Sequence, residues 1–353
     1  MPIIQLSDLP PPEKGQIGWP WTEVPSCPSL YGDTIYWPKI SIITPSYNQG
    51  EYIEETIRSV LLQGYPNLEY IVIDGGSTDN TIEILKKYSD FITYWRSEPD
   101  NGQTNAINKG LKLCRGDIIA YLNSDDRYEP NAFFVVARYF QEHKNVRMIY
   151  GNIIHIDKNS QVIEKVKCKH SCDFERLLSL NFYIAQPTVF FRREVFEKIG
   201  YFDEKLNLAM DTDYWLRVSQ IFSIGFIDYP IAAFRLYPET KSASRETEYL
   251  EEFLLIFEKI FSQETLSKNY RLKSKTLSSI YLSAARINLP RGNLQKSREL
   301  FLRSLKIYPL NFLSPLIIGC YLSALLGKKF TKFSIRFKRG LFEKFNFLKR
   351  NFS

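Results

Sequence analysis

Between Lys39 and Asp126 the chain alternates short β-branched apolar runs with amphipathic segments, and each apolar run stops at a polar cluster. Ile40 to Ile43 stops at Thr44 to Asn48. Tyr70 to Ile73 stops at Asp74 to Asp79. Phe91 to Trp95 stops at Glu98 to Gln103, and Asp117 to Leu122 stops at Asn123 to Asp126. Helices are expected over 51–63, 81–88 and 103–114; in the first, Ile53, Ile57, Val60 and Leu61 share one face. Such alternation predicts an α/β fold, a Rossmann-like, mainly parallel sheet with helices on both faces. Ligands of such sheets bind outside the carboxyl ends of the strands. All four polar clusters lie at those ends, so the pattern predicts a polar ligand at the sheet edge.

Composition narrows the ligand. The net charge of +7 is unevenly placed: Lys328 to Ser353 holds nine bases and one acid, a tail of +8, which leaves the first 327 residues at −1. A near-neutral body argues against a nucleic-acid surface. Gly75 and Gly76 allow a tight turn and close approach to a ligand. Their loop is not G-x-G-x-x-G, and no G-x-x-x-x-G-K-[ST] occurs, which opposes a dinucleotide dehydrogenase and a P-loop ATPase. The five cysteines form no even framework and suggest free thiols in a reducing compartment. Cys168, His170 and Cys172 fall short of the four ligands of a structural zinc, so a plain strand or loop is expected there. The first ten residues lack the basic start and apolar run of a signal peptide, and cytoplasmic residence is expected.

The acids carry the chemistry. Asp125 and Asp126 follow an apolar strand, where adjacent acids call for a neutralising partner. Mg²⁺ uses one or two carboxylates plus substrate phosphates, and Mn²⁺ suits the same oxygen ligands. Asp211 and Asp213 open an amphipathic helix, where the helix dipole favours acids. That explains Asp213 and leaves Asp211 available to a site.

The stretches TPSYNQGEYIEETIRSVLLQGYPNLEYIVIDGGSTDNT, SEPDNGQTNAINKG, GDIIAYLNSDD, QPTVFFRREVFEKIGYFDE and AMDTDYWLRV, in this order over about residues 38–245, resemble a family 2 glycosyltransferase of GT-A fold. With LPPPEKGQIGWPWTEV ahead of them, they resemble a bacterial subgroup whose strand-end motif is DGGSTD. The resemblance implies inverting transfer from a nucleotide-diphosphate sugar to a glycan or lipid-linked acceptor in surface polysaccharide assembly. It implies that Thr44, Pro45, Tyr47, Asp74, Gly75, Gln103, Asn123, Ser124 and Arg235 contact the donor. Asp125 and Asp126 would then hold Mg²⁺ or Mn²⁺, and Asp211 would act as catalytic base. A late loop from Arg235-Leu236-Tyr237 to Lys241-Ser242 would close over the diphosphate. Four positions depart from the family pattern. Gly75 stands for a second aspartate, Asn123 for the first acid of D-x-D, Met210 for the usual glutamate and Tyr237 for a common histidine. Gly75, Asn123 and Tyr237 motivate a second reading, a non-catalytic nucleotide-sugar or glycan-binding module with a helical partner-binding domain.

Four regions follow: a Pro/Trp-rich arm (1–37) whose tryptophans dock on the body, the catalytic domain (38–245), a helical appendage (246–327) and the basic tail (328–353). Ser297, Phe301, Ser304 and Pro309 match tetratricopeptide spacing, though one repeat does not make a solenoid. Ile307 to Gly327 carries no charged residue but is interrupted by Pro309, Pro315 and Gly319; a buried or interfacial hairpin fits better than a membrane span, which would carry the tail to the far side. In the tail, Phe330, Phe333, Phe337, Leu341, Phe345 and Leu348 fall within about 120° of a helical wheel, with Lys332, Arg336, Arg339 and Arg350 roughly opposite. This describes a helix lying on an anionic membrane surface; a solvated, disordered tail is the alternative.

Overall fold

A computed structural model of the chain describes residues 3–24, 37–168, 170, 172–180, 182, 184–237, 245–289, 291–310 and 315–326. The Lys241-Ser242 half of the late loop, Cys27 and the helical face of the tail lie outside those residues. The chain divides into two compact units, Met1–Leu177 with Phe182–Ser244, and Leu178–Asn181 with Arg245–Ser353.

The first unit begins with the expected alternation: β1 (Ile40–Ser46), α1 (Ile53–Leu61), β2 (Leu68–Asp74), α2 (Thr81–Lys87), β3 (Tyr94–Ser97), α3 (Gln103–Leu113) and β4 (Ile118–Tyr121). Next come β5 (Arg127–Tyr128), α4 (Ala132–Glu142), β6 (Met148–Ile156), β7 (Val162–Val166), α5 (Phe174–Leu178), β8 (Phe190–Arg192), α6 (Arg193–Ile199), α7 (Met210–Ser219) and β9 (Ile224–Arg235). The third strand starts later than its apolar run suggests because Ser89–Phe91 forms a 3₁₀ turn that closes α2.

These strands form one sheet in the order β3-β2-β1-β4-β8-β6-β9-β5, with β7 paired to β6. The expectation of a mainly parallel sheet needs correction. The β1–β2, β2–β3, β1–β4 and β6–β9 pairs are parallel, but β4–β8, β6–β8, β5–β9 and β6–β7 are antiparallel. Within the antiparallel half, β5 spans two residues and β8 three, too few to show a period, and the pairings of the longer β6 and β9 are long-range choices that no local period encodes. The parallel half reads clearly for the opposite reason. Strand β1 lies between β2 and β4 and is buried along its whole length, and three of its first four residues, Ile40, Ile42 and Ile43, are isoleucines.

Helix α1 packs Ile53, Ile57 and Val60, each fully buried, against this sheet. Burying one such side chain is worth about 1.5–3 kcal/mol. The periodicity implied a solvated opposite face, yet Glu54, Glu55 and Arg58 are buried as well. The amino-terminal arm covers that face. Arg58 donates to the carbonyls of Pro10 (2.9 Å), Pro20 (3.1 Å) and Trp21 (3.1 Å), and its guanidinium lies 5.2 Å from the Trp21 ring centre. Trp19 Nε1 donates to the Tyr128 carbonyl at 2.9 Å, while Ile4 and Leu9 join the core. The arm's prolines leave carbonyls without matching N–H groups, and Arg58 uses them.

The second unit is helical: α8 (Glu246–Phe261), α9 (Glu264–Ser267), α10 (Tyr270–Asn288), α11 (Leu294–Ile307) and α12 (Pro315–Leu326). Helices α10 and α11 form a hairpin about Gly292, whose φ of +83° favours glycine. Small residues bring the two helices together: Ser297 Oγ donates to the Ala285 carbonyl (2.8 Å), and Ser278 Oγ bonds Ser304 Oγ (2.7 Å). Among the described residues no helix is long and apolar enough to cross a membrane.

Candidate active site

Strand register brings the polar loops to one edge. Ser46 pairs with Asp74, and Asp74 with Ser97, at the carboxyl ends of β1, β2 and β3. Asp74 is fully buried there. Its carboxylate accepts from Ser77 Oγ (2.5 Å), Ser97 Oγ (2.7 Å), Ser77 N (2.9 Å) and Gly76 N (3.1 Å). A Cβ on Gly75 would lie 3.1 Å from Asp100 Oδ1, and Gly76 combines a φ of +83° with a close approach to the Pro99 backbone.

The residues of β1 and β2 expected to contact the donor differ in exposure. Thr44 is fully buried, with its hydroxyl accepting from Tyr70 Oη at 3.1 Å, and Pro45 is buried within β1. Thr44, Pro45 and Asp74 lie in β1 and β2, which are buried along their whole length. Tyr47, at 60% exposure, is the member of this group that presents a surface to solvent.

At the end of β4, three amides are joined. Gln103 Nε2 donates to Asn123 Oδ1 (2.7 Å), Asn123 Nδ2 to Gln186 Oε1 (3.3 Å), and Gln186 Nε2 to the Tyr121 carbonyl (2.8 Å). Ser124 is buried and Asp125 partly exposed. Tyr237 Oη donates to Asp125 Oδ2 at 2.9 Å. Burial, and then the Asp125 charge, push the Tyr237 hydroxyl above its ordinary range and keep it a donor. The Tyr237 ring packs on Tyr52 (centroids 5.4 Å apart), which in turn lies under the Arg235 guanidinium at 4.6 Å. Arg235 Nε donates to the Asp125 carbonyl at 2.8 Å. Asp125 is thus held at both its main chain and its carboxylate.

Asp126 and Arg235 are each 1% exposed. Asp126 Oδ1 accepts from the Arg235 backbone N–H (3.0 Å), and Oδ2 is buried without a partner. Burial foremost, then the neighbouring Asp125 charge, push the Asp126 carboxyl well above the usual carboxylate range. The Arg235 guanidinium pairs with Glu55 (2.7 Å) and donates to the Asp157 carbonyl (3.0 Å) and Ser160 Oγ (3.0 Å). Asp126, expected to hold the metal, and Arg235, expected to contact the donor, both direct their side chains into the framework under the site. Glu55 also accepts from Arg127 at 2.6 Å. Removing one partner of a buried pair leaves an uncompensated charge. Glu55→Ala is expected to lower stability by about 3–5 kcal/mol, read as a fall in the urea unfolding midpoint.

Asp211 lies in the first turn of α7, partly exposed, its Oδ1 accepting from Thr212 N at 2.6 Å. Asp213 is buried and paired with Arg217 at 2.8 Å, the structural role expected of it. Helix α3 ties Asp211 to the amide row. Gln103 begins that row, and the next residue, Thr104, donates its single hydroxyl proton to the Leu206 carbonyl (2.8 Å) and packs against Met210 Sδ. Sequence reasoning missed Tyr52, Glu55 and Thr104. All three read as ordinary helix-start residues, and their partners lie far along the chain, 180 positions away for Glu55 and Arg235.

Among the described residues no group of three or more His, Cys, Asp and Glu could hold a metal by itself. Asp125 is the partly exposed carboxylate of the motif, engaged by Tyr237. That suits a cation whose remaining ligands come from phosphates and water, and does not suit an all-protein cage.

The sequence profile of Glycosyl transferase family 2 matches residues 41–200. An uncharacterised glycosyltransferase of Rickettsia prowazekii (strain Madrid E) is 30% identical over 274 residues, covering 76% of this chain and 85% of the relative. Its counterpart in Rickettsia typhi is 29% identical over 273 residues, with the same coverage. Among solved structures, Staphylococcus aureus TarS 1–349 in complex with UDP-GlcNAc aligns with a TM-score of 0.60 at 18% identity, over 86% of this chain and 92% of that one. The mannosyltransferase PcManGT from Pyrobaculum calidifontis in complex with GDP-Man and Mn²⁺ aligns with a TM-score of 0.55 at 17% identity, over 85% and 84%. The two structures share the α/β GT-A-like fold with its helical region, and the sequence relatives carry the kinship further: this chain belongs to glycosyltransferase family 2 and is an enzyme of that class.

Proposed function

We propose that the chain transfers a sugar, with inversion, from a nucleotide-diphosphate sugar to a hydroxyl of a glycan or lipid-linked acceptor in surface polysaccharide assembly. The observation that carries this reading is the convergence at one sheet edge of Asp125, the amide row and, through α3, the Asp211 turn. Tyr47 offers an exposed ring at the donor end. Asp125, oriented by Tyr237 and Arg235, would hold Mg²⁺ or Mn²⁺. When bound, that cation supplies charge stabilisation to the departing diphosphate. Asp211 receives the proton of the acceptor hydroxyl as its oxygen bonds the anomeric carbon. The bond to the diphosphate breaks on the opposite face, which inverts the centre and requires no enzyme nucleophile.

Thermal shift against UDP-, GDP- and dTDP-sugars with Mn²⁺, followed by release of the nucleoside diphosphate, tests the reading. A cognate donor at ~100 times its Kd adds about 2.7 kcal/mol. Stabilisation without diphosphate release, with or without Mn²⁺, would favour a binding module.

The acceptor class suggests work at the cytoplasmic face of a membrane, with the tail 328–353 as a peripheral contact. Each of its bases near an anionic surface contributes on the order of 1 kcal/mol. Deleting 328–353 should abolish co-sedimentation with phosphatidylserine vesicles and leave weak binding to phosphatidylcholine unchanged. Unaltered sedimentation of the truncated chain rules the contact out.

A further inference from the structure

Helix α12 is built inside out for a helix in water. Its small residues face the protein. Ala324 is fully buried in the cluster of Leu282, Ala285, Leu289, Leu300 and Phe301. Ser323, 3% exposed, satisfies its hydroxyl within the helix by donating to the Gly319 carbonyl at 2.8 Å. Tyr321 packs edge-on against Phe301, with ring centres 6.2 Å apart. The large residues point the other way. Leu322 is 39% exposed and Leu325 45%, and Ile318 is partly exposed. At 100° per residue these three fall within about 60° of the helical wheel, opposite Ser323 and Ala324. A Cβ on Gly319, beside them, would meet nothing within 4 Å among the described residues, so this side of the helix is open. A surface helix facing water carries polar and charged groups on its outer side. From Pro315 to Leu326 α12 carries no charge at all.

We propose that the Ile318–Leu322–Leu325 stripe is a membrane-docking surface that inserts into the boundary between headgroups and acyl chains of an anionic bilayer. This rests on the membrane reading above and adds an apolar contact to the electrostatic one of the tail. Charge selects a lipid surface as the occupant. The chain around α12 holds no acid between Glu299 and Glu343, and eight bases. Anionic headgroups attract such a segment, whereas a second copy of the same face would set bases against bases. Length selects the orientation. The twelve residues of α12, at a rise of 1.5 Å each, make about 18 Å. The hydrocarbon core is about 30 Å thick. The helix therefore lies along the surface, with its leucines toward the lipid and the α10–α11 hairpin behind it.

The test uses the full chain and its Leu322→Asn/Leu325→Asn double variant. Both are sedimented with phosphatidylcholine vesicles containing phosphatidylserine, at 0.1 and 1 M NaCl, where the screening length falls from about 10 to about 3 Å. Salt screens the tail's charges but not an apolar insertion, so wild type should keep measurable binding at 1 M. The double variant should bind about tenfold more weakly at 0.1 M, equivalent to about 1.4 kcal/mol, and not at all at 1 M. Wild type released completely by 1 M NaCl, or a double variant that binds there as wild type does, overturns the proposal. Light scattering without lipid should find one mass for both proteins; a wild-type dimer split by the substitutions assigns the stripe to a second copy instead. Should the double variant lose helical signal by circular dichroism, Leu322→Trp replaces it. Its added emission should shift to the blue on vesicles, and an unshifted spectrum overturns the proposal. Truncation of 328–353 separates helix from tail. Salt-resistant binding that survives truncation but not the double substitution upholds the helix even if the tail reading fails. Binding lost on truncation and unaffected by the double substitution sinks the helix alone.

Discussion

Asp211→Asn should keep donor binding and lose turnover by about 10²–10⁴-fold, the range positioned proton transfer supplies. The substitution preserves shape and the local hydrogen bond, since an amide oxygen can accept from Thr212 N as the carboxylate does at 2.6 Å. It removes basicity. The side chain also sits in the first turn of α7, where loss of a negative charge costs about 0.3–1 kcal/mol through the helix dipole. A merely structural Asp211 would therefore give a small drop in melting temperature and near-normal kcat. A catalytic base gives the same small drop in melting temperature but a collapsed kcat, with donor-induced stabilisation retained. Single-turnover transfer with saturating donor separates the two, and near-normal transfer by the variant would remove Asp211 from the mechanism.

Asp125→Ala should abolish the Mn²⁺-dependent part of donor stabilisation and lower kcat/KM by about 10³-fold, several kcal/mol of transition-state charge stabilisation. The prediction is specific because the two adjacent acids differ. Asp125 is partly exposed and oriented by Tyr237 Oη at 2.9 Å, whereas Asp126 is 1% exposed and bonded to the Arg235 main chain. Asp126→Asn keeps the oxygen that accepts from Arg235 N, so its Mn²⁺ dependence should match wild type. Isothermal titration of Mn²⁺ with the cognate nucleoside diphosphate reads both variants. Equal losses in the two would mean that both acids bind the cation and that this part of the chain rearranges to let them.

Much of the fold was legible because it is locally encoded. Ile40 to Ile43 and Tyr70 to Ile73 announce buried parallel strands, and the polar residues after them mark one working edge. The first turn of α7 carries its acids where a helix start favours them. What could not be read has a common character. The antiparallel half of the sheet depends on pairings between strands far apart in the chain, two of them (β5 and β8) too short to show a period, and the amide row depends on side-chain direction, which spacing does not encode. Nothing local distinguishes Asp125 from Asp126 either. They are neighbours of one type, separated by which of them faces Arg235.

By itself, the sequence determined the alternation, the carboxyl-edge site and the candidate acids, because periodicity, turn chemistry and helix starts are set by residues within a few positions of one another. Tertiary structure decided which polar groups work on the ligand and which hold up the site. Arg58 and Glu55 belong to the polar side of an amphipathic helix, yet both are buried: Arg58 by carbonyls of the arm 37–48 positions earlier, Glu55 by Arg235, 180 positions later. A charge is removed from water only where partners converge on it in space, and a pairing that crosses half the chain leaves no period by which to read it.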